Sequence, residues 1–123
     1  MPWSLDARIP VTVLPDEAAL ATALAAGPPA AALFEAPPPP LPAGLLAAVS
    51  FEPFGAHLAG CSCCGGRSPA AAALERLFQA RQGGAAAWFD RVLALVETPA
   101  ARAMLDEALQ QDVATLAHFR RAP

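Results

Sequence analysis

The sequence contains no lysine, and all eight of its basic residues are arginine. This absence excludes any phosphate-binding loop of the Gly-x-x-x-x-Gly-Lys-[Ser/Thr] type, whose lysine reaches the terminal phosphates. Eleven acidic residues leave the 123-residue chain with a formal net charge of −3. Nucleic-acid binding needs a basic surface, so we expect no nucleic-acid partner.

Two kinds of hydrophobic segment are also missing. The chain does not begin with the basic residues and apolar run of a signal peptide, and no stretch approaches the ~20 apolar residues of a membrane span. We therefore expect a cytoplasmic protein with no membrane contact. Hydrophobic residues make up 55% of the chain and charged residues 15%, which favours a packed core over disorder. One α/β domain over residues 1–123 is the expected organisation.

Strand-like and helix-like segments alternate along the chain. Helices are predicted after the capping residues Asp16, Ser68 and Thr98, and the last helix is expected to break at Asp112. This alternation predicts an open, mainly parallel sheet of about four strands with helices on its faces. The strands are predicted at residues 8–14, 30–36, 56–60 and 89–97, and the final helical stripe at Leu105, Leu109, Val113, Leu116 and Phe119.

The part of the chain between the second and third predicted strands is irregular. Residues 37–42 hold five prolines, which predict an extended polyproline-type loop. Residues 43–49 are alanine-rich and are predicted to form a helical turn or two. The loops after the first, third and fourth predicted strands are expected to meet at one rim of the sheet, where ligands collect in parallel sheets.

All three cysteines lie in the stretch Gly60–Gly66, which reads Gly-Cys-Ser-Cys-Cys-Gly-Gly. An odd number of crowded thiols in a reducing compartment favours a metal or reactive-thiol site over a disulfide framework. Cys61, Cys63 and Cys64 are thus candidate ligands for zinc or another divalent transition metal. Three thiolates leave one position of a tetrahedral site open, for which His57 is a candidate. Cysteine-based redox chemistry and retention of the thiols without a role remain alternatives.

Other polar residues have simpler interpretations. Arg67 follows the cysteines and would favour their thiolate forms, although an ordinary arginine beside a helix explains it equally well. Glu52 and Glu97 are weaker candidates at the rim, and His118 is expected at the surface. The aromatic residues Trp3, Trp88 and Phe89 are interpreted as packing residues.

Three segments together resemble the CobW-type family of P-loop GTPases, which are metallochaperones. Residues 9–14 resemble the family's opening strand, Gly60–Cys64 matches its Gly-Cys-x-Cys-Cys metal motif, and residues 89–98 resemble its strand ending in Glu-Thr-Thr-Gly. The tail from Gln111 to Arg120 is also similar to the family's following segment. The resemblance implies about the first half of a P-loop-NTPase-like domain, with metal held by the three cysteines.

The departures from that family concern the nucleotide site. Where the family has its phosphate loop, residues 15–22 contain neither glycine nor lysine, and Asp16 and Glu17 place negative charge at the helix start. The Asn-Lys-x-Asp guanine motif is impossible without lysine, and Glu-Thr-Thr-Gly is replaced by Glu97-Thr98-Pro99-Ala100. The resemblance therefore implies a non-enzymatic relative that binds metal but no nucleotide.

A second hypothesis assigns the chain a different role. An apolar half-domain has sheet edges to cover, which favours a structural or regulatory interaction module. Its partner would be a second copy of the chain or a complete CobW-type GTPase, and the cysteines would then be incidental.

Overall fold

The computed structural model describes residues 6–53 and 67–123 and contains nine regular elements. Their alternation along the chain confirms the predicted α/β class. In order they are β1 (Ile9–Leu14), α1 (Glu17–Ala25), β2 (Ala30–Glu35), β3 (Leu45–Phe51), α2 (Pro69–Gln82), β4 (Arg91–Leu95), α3 (Pro99–Gln111), α4 (Val113–His118) and β5 (Phe119–Arg121).

The five strands form one open parallel sheet in the order β3-β2-β4-β1-β5. The central strand β4 pairs with β1 through Val92 and Val11, and with β2 through Leu93 and Ala32. Because all strands are parallel, the carboxyl ends of β1, β2, β3 and β4 lie at the same edge. The loops after the first and last predicted strands therefore share one rim, as expected.

Both faces of the sheet are covered, and β4 shows this directly. Val92 and Ala94 belong to a core cluster shared with α2 and α3, whereas Leu93 and Leu95 belong to the cluster under α1. All four residues are at most 2% exposed. The continuous apolar run Val92–Val96 is typical of a strand buried on both faces, and the structure shows this burial.

Local capping residues begin each helix as predicted. Asp16, Ser68, Thr98 and Asp112 each accept a hydrogen bond from the backbone N–H three residues later. Each cap of this kind contributes about 1 kcal/mol. Asp112 also marks the predicted break, since α3 ends at Gln111 and α4 begins at Val113.

Two predictions about secondary structure were wrong. The predicted helical turns at residues 43–49 are instead strand β3, because pairing with β2 from Leu45 to Phe51 outweighs the helix propensity of the alanines. Phe119 was placed on the last helical stripe but begins β5, where it pairs with Ile9 and is buried. Val113, on the same predicted stripe, is 84% exposed. The predicted strand at 56–60 lies outside the described residues.

Candidate functional site

The four predicted metal ligands lie outside the described part of the structure. Cys61, Cys63, Cys64 and His57 all fall in residues 54–66. The described residues that bound this stretch are Pro53, just after the edge strand β3, and Arg67, just before α2. Within residues 6–53 and 67–123, no group of three or more His, Cys, Asp or Glu side chains is arranged to hold a metal ion.

Arg67 is held at the junction of α3 and α4 by an ion-pair network. Its Nη2 and Nε donate to Asp112 Oδ1 and Oδ2 at 2.8 and 3.1 Å, and its Nη1 donates to Glu75 Oε1 at 3.2 Å. Nη2 also lies 3.2 Å from Thr115 Oγ1, and Thr115 is only 2% exposed. These contacts raise the pKa of Arg67, chiefly through the hydrogen bonds with Asp112.

The network gives Arg67 a structural role that its sequence neighbours do not reveal. Its guanidinium is hydrogen-bonded to the carboxylates of Glu75 and Asp112. The hydrogen bonds from Arg67 hold the pKa of Asp112 below its ordinary range. Arg67 and Asp112 are 45 positions apart, so no local pattern could have paired them. The ion pairs add to the interpretation of Arg67 as an arginine beside a helix, and its effect on the cysteine thiolates stays a prediction.

A shallow cleft adjoins this network. It has a volume of about 300 Å³ and is lined by Arg67, Ser68, Glu107, Ala108, Gln111 and Asp112. Two of the lining residues carry carboxylates, and the only arginine among them is paired with Asp112. The cleft is therefore polar, and its lining carries two carboxylates and one guanidinium.

The start of α1 is the position where a phosphate loop would follow the first strand. Asp16 Oδ1 accepts from the Ala19 backbone N–H at 2.8 Å, and Glu17 adds a second acidic residue to the first turn. The chain's own carboxylate thus occupies part of the amide cluster that would otherwise attract an anion.

Glu35, the last residue of β2, is a second carboxylate that accepts hydrogen bonds from backbone N–H groups at the rim. It was not singled out from the sequence. Its Oε1 accepts from the backbone N–H groups of Glu97 and Thr98, both at 2.9 Å, and its Oε2 accepts from Thr98 Oγ1 at 2.7 Å. Burial alone would raise the pKa of Glu35, but these hydrogen bonds and the charge of Arg102 together lower it. The one signal in the sequence that could have pointed to Glu35 is its position as a charged residue at the end of the apolar run Ala30–Phe34.

The remaining rim and aromatic residues have varied surroundings. Glu52 and Glu97 are exposed, while Phe89 is fully buried and packs in the core as interpreted.

Trp88 is 57% exposed and stacks on Arg81, whose Cζ lies 3.6 Å from the ring centroid. His118 is half-buried rather than at the surface, because its ring stacks on Phe78 at a centroid distance of 3.6 Å. Trp3 lies outside the described residues.

Replacing Glu35 with glutamine is expected to destabilise the protein by about 1–2 kcal/mol at pH 7, because charge-assisted hydrogen bonds to backbone N–H groups are lost. Since the folded-state pKa of Glu35 is lowered, its contribution is fully present above the unfolded value of about 4.3 and is lost as pH falls through the folded value. Urea unfolding at pH 7 and at steps below pH 5 measures both effects.

Glu107, exposed on α3, supplies the matched control for this prediction. Glu107→Gln is expected to change stability by less than about 0.5 kcal/mol. A stability difference between the parent protein and Glu35→Gln that does not shrink in acid would contradict the assigned role of the Glu35 carboxylate.

Together, the fold and the described rim define an open parallel α/β protein in which acidic side chains occupy the loops after β1 and β4. Comparisons of this chain with protein-family models, with curated proteins and with solved structures found no match. No helix in residues 6–53 and 67–123 is long and apolar enough to cross a membrane.

Proposed function

We propose that this chain is a CobW-like protein that binds a thiophilic divalent metal, zinc or cobalt, through Cys61, Cys63 and Cys64. The observation that carries the proposal is the concentration of every cysteine of the chain into one Gly-Cys-Ser-Cys-Cys motif. Thiolate is a strong ligand for zinc, with a bond length of about 2.3 Å. Such a cluster is stable against disulfide formation in a reducing compartment such as the cytoplasm.

The surroundings of the motif support this role. The cysteines precede Arg67 by three to six residues, and Arg67 is fixed to Asp112 and Glu75. At the other end, Pro53 lies two residues after the last residue of β3, Phe51. The segment that carries the metal ligands is therefore attached at both ends to ordered parts of the fold, which lowers the entropy cost of closing it around an ion.

Three thiolates from one chain suit a site that exchanges its metal. A closed structural zinc site has four protein ligands, whereas a site with three leaves a position for water or a partner's ligand. His57 is the candidate for the fourth ligand within the chain. We infer storage or transfer of the metal, or a metal bridge between two copies of the chain.

The geometry of the rim supports a role without nucleotide. In the loop after β1, Asp16 caps α1 with its own carboxylate, and residues 15–22 contain no glycine or lysine to surround a phosphate. A carboxylate at this point repels phosphate and competes for the same amides. We propose that the protein neither binds nor hydrolyses GTP.

Protein purified without chelator is expected to contain about one zinc or cobalt ion per chain, as a single three-thiolate site predicts. Elemental analysis by plasma mass spectrometry gives the stoichiometry, and the mass in solution is measured on the same sample. Equilibrium dialysis with labelled GTP is expected to show no binding. Protein that carries no metal, and that fails to take up zinc from a weak chelator, would overturn the proposal.

The alternative function is an interaction module, and one feature of the sheet favours it. Among the strands in residues 6–53 and 67–123, β3 lies at one edge of the sheet; it has seven residues, none of them charged, and its Leu46 is 36% exposed. Uncharged edges of this length invite pairing with another chain. The partner would be a second copy or a CobW-type GTPase. Partner binding by metal-free protein, unchanged when all three cysteines are replaced by serine, would favour this alternative.

A further inference from the structure

The loop between β2 and β3 consists largely of proline. Residues 37–42, here called the proline segment, read Pro-Pro-Pro-Pro-Leu-Pro and belong to neither a helix nor a strand. Proline fixes φ near −65° and has no backbone N–H, so such a run is restricted to polyproline-type conformations while its carbonyl oxygens stay free to accept hydrogen bonds.

Exposure along the proline segment repeats every third residue. Pro39 and Pro42 are half-buried, whereas Pro37, Pro38, Pro40 and Leu41 are exposed. A polyproline II helix has about three residues per turn, so residues three apart form one ridge of a triangular rod. One ridge therefore faces the protein and two face solvent.

The two outward ridges have the composition that polyproline-binding domains recognise. One consists of Pro37 and Pro40, and the other of Pro38 and Leu41. Leu41 is 60% exposed, so its apolar side chain is accessible to a partner. Aromatic-lined grooves bind such segments by packing against two adjacent ridges and donating hydrogen bonds to the carbonyl groups between them.

The charges beside the proline segment restrict the kind of groove. No basic residue occurs from Ala30 to Gly44, and the one acidic residue in this range, Glu35, is engaged with Glu97 and Thr98. An acidic pocket in the partner would therefore have no arginine or lysine of this segment to pair with. An uncharged aromatic groove fits better.

We propose that the proline segment is a docking site for a partner protein domain whose aromatic-lined, uncharged groove binds the Pro37/Pro40 and Pro38/Leu41 ridges. The segment is tethered at both ends to neighbouring strands, β2 and β3, so little conformational entropy is lost on binding. This site is independent of the proposed metal site and needs none of the cysteines.

The test is an NMR titration of the isotope-labelled full chain with three isolated probes: a WW domain, an EVH1 domain and an SH3 domain whose groove has an acidic pocket. Shifts at the Leu41, Ala43 and Gly44 amides are expected with the WW or EVH1 probe. The double variant Pro40→Ala/Leu41→Ala is expected to weaken that binding at least about tenfold, since it removes a residue from each outward ridge.

Leu46→Ala, on the adjacent strand β3, is the control and is expected to leave the affinity within about twofold. Thermal unfolding of each variant checks that the fold is retained. Three results would overturn the proposal: no shift with any probe at millimolar concentration, shifts that persist in the double variant, or shifts that appear on concentrating the chain alone, which would identify a second copy as the occupant.

Discussion

Replacement of Cys61, Cys63 and Cys64 together with serine is expected to abolish stoichiometric metal binding. Serine is nearly isosteric with cysteine, but its hydroxyl does not ionise near neutral pH and is a poor ligand for zinc. The triple variant should therefore purify without metal under conditions in which the parent protein retains it. Elemental analysis of both proteins, prepared side by side, measures the difference.

Single replacements sharpen this prediction. Removing a residue that only hydrogen-bonds to a metal ligand commonly lowers metal affinity about 10- to 100-fold. Loss of one thiolate ligand is therefore expected to lower the affinity by more than about 100-fold. Competition with a chromophoric chelator gives the dissociation constants. Ser62→Ala, within the same motif, is the matched control and should keep the parent affinity. Single cysteine variants that all keep the affinity of the parent protein would contradict a three-thiolate site.

His57→Ala belongs in the same series because it tests the fourth ligand alone. If His57 coordinates the metal, its loss is expected to lower the metal affinity at least about tenfold, because even residues that only hydrogen-bond to a ligand contribute about that much. An unchanged affinity would remove His57 from the site and leave the three cysteines with an open position.

Asp112→Ala is expected to destabilise the fold by about 2–4 kcal/mol. The change removes the cap of α4, worth about 1 kcal/mol, and leaves the guanidinium of Arg67 without its closest partner. The side chains of Arg67 and Asp112 are 25% and 18% exposed, so the cost falls below that of a fully buried pair. Urea unfolding measures it.

Two comparisons separate the contributions of Asp112. Asp112→Asn keeps a side-chain oxygen for the cap but loses the charge, and is expected to cost about 1–2 kcal/mol. Asp106→Ala removes an arginine-paired aspartate within α3, but that pair is exposed and should be worth less than about 1 kcal/mol. If Asp112→Ala proves no more costly than Asp106→Ala, the Arg67 network contributes nothing to stability.

The elements that the sequence predicts correctly are those with local signals. Asp16, Ser68, Thr98 and Asp112 each bond an amide three residues away, so the capping pattern is visible in a short window. The run Val92–Val96 is apolar throughout, which is typical of a strand buried on both faces. These features were enough to predict an open parallel sheet.

The features that were missed depend on residues far apart in the chain. β3 contains Ala47 and Ala48 and gains its strand conformation from pairing with β2, and the three residues of β5 are defined by Ile9 at the other end of the chain. Glu35 and Thr98 are 63 positions apart, so their contact has no local signature. The cysteine site was proposed from the motif alone.

The position of β1 between β4 and β5 has a consequence for synthesis of the protein. Val11 pairs with Val92 on one side and with Arg121 on the other, so β1 is translated long before either neighbour. Until residues 91–95 have left the ribosome, the apolar side chains of β1 have no neighbouring strand to pair with. The growing chain therefore exposes these side chains until β4 emerges and joins β1 to β2.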